Sequence, residues 1–191
     1  MSGDGDGRVA GGRASRYSPG VADEPQQYAL AALFGPARRE MVDHIPHCRR
    51  IGMEVVEIAP HRAIVRLPFR DELVGDPARG VVFGGVITTL LDHAGGLAVS
   101  CSLAELTPIA TLDLRIDYLR AAEPGLALLG EADCYKVTSH VAFVRGRAWD
   151  ATPDDPFATC VGTFMLGASP RESPMLRALR EQGHEQGKDR S

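Results

Sequence analysis

No stretch of this sequence reaches the ~18 consecutive apolar residues that a membrane-spanning helix needs, so no membrane partner is expected. The first twenty residues lack any apolar run, and no signal peptide is expected there. There is no block of basic residues. Lys and Arg number 21 against 25 Asp and Glu, for a net charge of −4, so nucleic acid is not expected as a partner. The cysteines number four, Cys48, Cys101, Cys134 and Cys160, and form no C-x-x-C. They read as reduced core residues of a cytoplasmic protein. The spacing His44-x-x-His47-Cys48 fits no common zinc pattern and is interrupted by Pro46, so neither metal nor cofactor is expected.

What is present suits one domain. The chain has 191 residues, enough for a real core. Residues 1–24 are rich in Gly, Asp, Arg and Ser and read as a disordered tail. Residues 25–169 form the domain, which opens with a helical extension over Pro25–Pro46 carrying Tyr28, Leu33, Phe34, Met41, Val42 and Ile45. Residues 170–191 are a polar tail, with Met175, Leu176 and Leu179 as a candidate helical turn and His184 beyond them. Within the domain, Ile51–Ile58 and Arg62–Leu67 read as strands, with an exposed His61 in the turn between them. A loop over Pro68–Arg79 follows. Thr111–Arg120 alternates cleanly, with Leu112, Leu114, Ile116 and Tyr118 on one face and Thr111, Asp113, Arg115 and Asp117 on the other. Leu126–Val137, Val141–Trp149 and Phe157–Leu166 complete the strands, joined by short turns that imply antiparallel neighbours.

One stretch organises the rest. Gly80–Ser100 is the longest mostly apolar stretch and begins with Gly80, Gly84 and Gly85. Apolar residues then recur at helical spacing, at Ile87, Leu90, Leu91, Ala94, Leu97, Ala98 and Cys101, which predicts a buried helix over Gly84–Leu103. Asp92 sits in the middle of it, and a buried carboxylate is costly unless it is paired or kept near water. Its neighbours at helical spacing are Thr88, Thr89, Gly95, Gly96 and, two turns back, Gly85. These small residues predict a trough beside the carboxylate. His93 points about 100° away and reads as a histidine of the core or an interface. The fold class is therefore α+β: about six strands in a curved antiparallel sheet wrapped around one long central helix.

The run Asp76-Pro77-Ala78-Arg79-Gly80-Val81-Val82-Phe83-Gly84-Gly85, with Asp92 seven positions later, resembles the hotdog-fold acyl-CoA thioesterases of the PaaI-like type. Members commonly read N-x-x-G-x-x-H-G-G. Gly80, Gly84, Gly85 and Asp92 match in identity and spacing, while Phe83 stands where His is usual and Pro77 where Asn is usual. The similarity covers roughly Met41–Ala168 and includes the A-T-L-D-L-R-I-D-Y-L-R strand with Pro124–Gly125. It implies an acyl-CoA substrate, the Gly84 N–H as oxyanion donor, and a Ser or Thr near the thioester, here Thr111. It also implies a homodimer, often paired into a dimer of dimers.

Physical argument supports the same assignment. Free N–H groups at a helix N-terminus and the positive end of its dipole favour a developing oxyanion, and a glycine pair lets a carbonyl approach them. Asp92 suits a general base or a nucleophile. Eight residues of helix separate it from Gly84 by about 12 Å, so one carbonyl cannot meet both on one helix. Two antiparallel helices, one per subunit, would bring them together. Phe83 and Gly85 would line the acyl pocket, and Arg115, Arg120, Arg145 and Arg147 would supply a basic rim for CoA phosphates. Asp76 is one residue out of register with the family's asparagine. Two other readings compete. One is a hotdog hydratase or dehydratase, although no histidine stands at the glycine turn. The other is a non-catalytic acyl-CoA binding protein.

Overall fold

The computed structural model describes residues 42, 44–105 and 107–167. The expected tails over 1–24 and 170–191, with Met175 and His184, and most of the helical extension lie outside the described residues. The described domain opens on a short helix, α1 (Pro46–Ile51). Pro46 begins it, where the missing N–H is no loss. Gly52 ends it in the left-handed region at φ 79°. That glycine re-aims the chain, so Ile51 belongs to this helix and not to the first strand, which begins at Glu54.

The strands are β1 (Glu54–Ala59), β2 (Arg62–Leu67), β3 (Val74–Asp76), β4 (Val81–Val82), β5 (Ile109–Tyr118), β6 (Leu128–Val137), β7 (Val141–Trp149) and β8 (Ala158–Leu166). Between β4 and β5 lies the long helix α2 (Gly84–Ser100). The stretch expected as a plain loop over Pro68–Arg79 instead holds a short 3-10 turn (Asp71–Leu73) and a small antiparallel ribbon of β3 and β4. Asp76 shapes its tip by accepting the N–H of Ala78 at 3.1 Å and Arg79 Nε at 2.6 Å. The Arg79 guanidinium holds the Asp76 carboxyl below the usual carboxylate range.

The main sheet has six strands in the order β1-β2-β6-β7-β8-β5, every neighbouring pair antiparallel. Helix α2 touches all six. A flat sheet of six strands would be roughly 24 Å wide, more than a helix of ~10 Å diameter can meet. The sheet therefore curves around α2, the hotdog arrangement. Leu90, Leu91, Ala94 and Ala98 of the helix are fully buried, as are Val65, Val144 and Ala158 of the sheet. Two glycines permit this close approach. A Cβ on Gly130 would lie 2.8 Å from Leu90 Cγ, and one on Gly95 would lie 3.0 Å from the ring of Phe164.

Helix α2 stops at Ser100, short of the expected Leu103. Ser102 turns back and donates its hydroxyl to the Ala98 carbonyl at 2.7 Å, and its Oγ also meets His61 Nδ1 at 2.8 Å. His61, expected to be exposed, is half-buried by this arrangement. Burial pushes its imidazole down. All four cysteines are free and buried. Burial pushes the Cys101 thiol up to about 12 and the Cys160 thiol up to about 11, so both are inert at neutral pH.

Candidate active site

Helix α2 begins without a side-chain cap, because Phe83 stands at the capping position and has nothing to donate or accept. The N–H groups of Gly84 and Gly85 have no acceptor among the described residues. The Phe83 ring leans forward over Gly85, and a Cβ there would lie 2.6 Å from Phe83 Cε1. Phe83 is nonetheless 61% exposed. It forms a wall beside the two free amides.

Asp92 lies two turns further along the helix and is half-buried. Thr111 of β5 donates its hydroxyl to Asp92 Oδ1 at 2.7 Å. Oδ2 accepts no hydrogen bond among the described residues. The carboxylate is thus held by one oxygen and offers the other. Its charge is felt by Cys48 of α1, whose thiol is pushed up by burial and then by Asp92. The neighbouring His93 has its Nε2 shut from water with no hydrogen-bond partner among the described residues. Burial pushes that imidazole down to about 4.

The trough expected around Asp92 is narrower than the small residues suggest. Phe164 fills the side at Gly95, and Ile109 lies 3.6 Å from where a Cβ of Gly96 would sit. Small residues invite large partners from the sheet. What stays open runs along Thr88 and Gly85, both exposed.

Strand β5 departs from the clean alternation expected of it. Its register against β8 slips between Thr111 and Asp113, leaving Leu112 as a bulge that is 54% exposed. Thr111 pairs with Phe164 and Tyr118 with Ala158, both core residues of β8. Cross-strand partners share a face, so Thr111 and Tyr118 both look toward α2. The Tyr118 hydroxyl donates to the Gly84 carbonyl at 3.0 Å and lies 3.5 Å from Thr88 Oγ1. Thr88 donates to the same carbonyl at 3.2 Å. The sequence pattern singles out neither hydroxyl for this role, although a tyrosine facing a core is a signal, because its hydroxyl needs a partner.

The structure brings Asp92 together with Thr111, and Phe83 with Gly84 and Gly85. It does not bring the arginines to them. Val144 touches the Gly95 side of α2 and Leu114 shares that face, so the next residues, Arg145 and Arg115, lie on the outer face of the sheet. Arg115 pairs with Asp117 at 2.9 Å, and Arg145 lies 6.0 Å from the ring centre of Tyr135. Arg147 bonds Glu131. Arg120 grips Asp150 with both terminal nitrogens, at 2.8 and 2.7 Å. That carboxylate also accepts the N–H groups of Glu123 and Ala151, so Arg120 ties two loops together. His44 and His47 are exposed while Cys48 is buried, so they do not converge.

A long helix bedded in a six-stranded antiparallel sheet, with a free amide pair at its start and a carboxylate at its middle, defines a hotdog-fold protein. Comparison with known proteins agrees. The thioesterase superfamily family model matches residues 79–156. A putative esterase of Halobacterium salinarum is 35% identical over 94 residues, covering 48% of this chain and 61% of that protein. The medium/long-chain acyl-CoA thioesterase YigI of Escherichia coli K12 is 34% identical over 141 residues, 66% of this chain and 88% of YigI. Among solved structures, a Pseudomonas aeruginosa protein is 41% identical with a TM-score of 0.62, covering 70% of this chain and 98% of that one. The phenylacetic acid degradation protein PaaI of Thermus thermophilus, solved as an Asn-to-Asp mutant, is 25% identical with a TM-score of 0.55, covering 63% and 97%. The chain belongs to the thioesterase superfamily, as a PaaI-like hotdog thioester hydrolase. No helix among the described residues is long and apolar enough to cross a membrane.

Proposed function

We propose that this protein hydrolyses acyl-CoA to the free acid and CoA, with Asp92 as general base or nucleophile and the Gly84 N–H of a second copy as oxyanion donor. The observation that carries the reading is the 2.7 Å bond from Thr111 to Asp92. It fixes the carboxylate and leaves one oxygen for a water or a thioester carbonyl. A donor–carboxylate pair about 12 Å apart on one helix cannot serve one carbonyl, so the site needs two chains. Strand β5 is one edge of the sheet, with β1 the other, and has no neighbour on its outer side among the described residues. Antiparallel pairing of two such edges sets two α2 helices antiparallel, which is the arrangement the chemistry requires. The assembly is a homodimer, alone or paired into a dimer of dimers.

The similarity to YigI favours medium- and long-chain acyl groups as substrates, with the acyl chain running along Phe83 and Gly85. Arg145 carries an exposed guanidinium group for the CoA phosphates, whereas Arg115 is already paired with Asp117 and Arg120 with Asp150.

The test is release of free thiol from a panel of short-, medium- and long-chain acyl-CoAs and phenylacetyl-CoA. The wild-type protein is expected to turn over the longer aliphatic members. Asp92→Asn should lose roughly a hundredfold or more, the scale of general acid–base catalysis. An Asp92→Asn variant that keeps the wild-type rate would remove Asp92 from the mechanism. Tight binding of acyl-CoA without thiol release would mean a binding protein, and hydration of enoyl-CoA a hydratase.

A further inference from the structure

We infer that Tyr118 is a positioning residue for a second oxyanion donor, the N–H of Gly85. The inference rests on the reading of the α2 start as the oxyanion site and extends it. A peptide unit joins the carbonyl of one residue to the N–H of the next, and the unit is planar. Whatever fixes the Gly84 carbonyl therefore fixes the Gly85 N–H. Two hydroxyls converge on that carbonyl: Tyr118 at 3.0 Å and Thr88 at 3.2 Å. The Gly85 N–H itself has no acceptor among the described residues.

Two consequences follow from elementary physics. Orientation is the first. Tyr118 comes from β5, a strand far from the start of α2 in sequence, so the first turn of the helix is pinned from outside and does not rely on its own uncapped end. Polarisation is the second. A carbonyl that accepts hydrogen bonds draws electron density from its amide, and chained hydrogen bonds strengthen one another. The Gly85 N–H becomes a better donor to a developing negative charge. The fit is close, because a Cβ on Gly84 would lie 3.2 Å from Tyr118 Oη. Glycine at position 84 thus serves the tyrosine as well as the substrate. The Phe83 ring packs against the side of Gly85 where a Cβ would stand.

Tyr118→Phe tests this directly, since the ring and the strand are kept and only the hydroxyl is lost. With a good acyl-CoA substrate, kcat is expected to fall roughly three- to tenfold, the range of one neutral hydrogen bond, with KM unchanged. A residue needed only for folding would not divide kcat from KM in this way. The second readout is the amide resonance of Gly85 in the substrate-free protein, which should move upfield in Tyr118→Phe while that of Gly84 stays in place. Thr88→Val should move the same resonance in the same direction by less, given its longer bond. An unchanged kcat, or a fall in kcat with the Gly85 resonance unmoved, would overturn the inference. The result is separable from the role of Asp92. If Asp92→Asn stays active, that role is lost, yet the Gly85 resonance and the Tyr118→Phe kinetics still decide this question.

Discussion

His93 makes a prediction about stability that is independent of catalysis. Its Nε2 is shut away from water with no partner among the described residues, and burial holds its imidazole at about 4 against an ordinary 6.5. The folded protein therefore refuses a proton that the unfolded chain accepts. Above about pH 6.5 neither state is protonated and nothing is lost. As the pH falls from there toward about 4, the unfolded state binds the extra proton and stability drains away. A difference of one in pKa between the two states corresponds to about 1.36 kcal/mol, so the lowering of His93 removes roughly 3 kcal/mol by the bottom of that window. That is a large part of the roughly 5–15 kcal/mol typical of a domain. Chemical unfolding followed by circular dichroism, at fixed protein concentration across about pH 7.5 to 4.5, measures it. His61 is also held low by burial and acts in the same direction, so the decisive quantity is the difference between wild type and His93→Leu. The variant should lose less stability than wild type as the pH falls, by roughly 3 kcal/mol over the window. Asp150 does not confuse the result. Arg120 holds its carboxyl far below the usual range, so its contribution is present above about pH 3.8 and is lost only in stronger acid. Parallel curves for wild type and His93→Leu would refute the argument that His93 is buried neutral.

Two further outcomes concern the site. Thr111→Val removes the hydroxyl that holds Asp92 while keeping the shape of the side chain. A hydrogen bond to a charged group is worth about 1.5–3 kcal/mol. Because Thr111 is exposed, the lower figure applies, which is about a tenfold loss of kcat, measured by thiol release. Deleting Leu112 removes the bulge from β5 and turns the residues before it to the opposite face. The variant should fold, with melting lowered by no more than a few degrees, yet show the same loss of kcat as Thr111→Val. A deletion that leaves kcat untouched would mean that the bulge plays no part in placing Thr111.

Much of the fold is legible in the sequence because the pattern is simple. The apolar spacing from Ile87 to Ala98 locates α2, and the glycine pair marks its start at Gly84. Strands β2 and β7 follow from their patterns to the residue. The differences have physical causes. Gly52 adopts a left-handed conformation that closes a helix no local periodicity announces. Ser102 ends α2 through a contact with His61, 41 residues away in sequence, which no local rule contains. The site is legible in part. Asp92 stands out as a charge among apolar residues. The trough is overestimated from sequence because side chains from the sheet, Phe164 and Ile109, occupy space that the helix sequence leaves empty. The arginines can be placed only by strand assignment. Alternation sets Arg115 and Arg145 on the face away from the helix, and Arg120 finds Asp150.

The largest departure concerns β5, and it shows how the site is built. Thr111 and Tyr118 are seven residues apart. In a regular strand an odd separation sends two side chains to opposite faces, so clean alternation could not allow both to meet α2. The structure adds one residue at Leu112 and reverses the parity. Thr111 then reaches the carboxylate at mid-helix, while Tyr118, further along the same strand, reaches the carbonyl where the helix begins. A single antiparallel pass along α2 thereby meets both the carboxylate at mid-helix and the carbonyl at the helix start. Bulges are frequent at sheet edges and next to active sites, where they re-aim a side chain, and β5 is an edge strand. The strand that sets the geometry within one chain is also an edge strand with an open outer side among the described residues. In the proposed dimer, docking of the second copy would be coupled, through this one element, to the groups that the proposed chemistry needs.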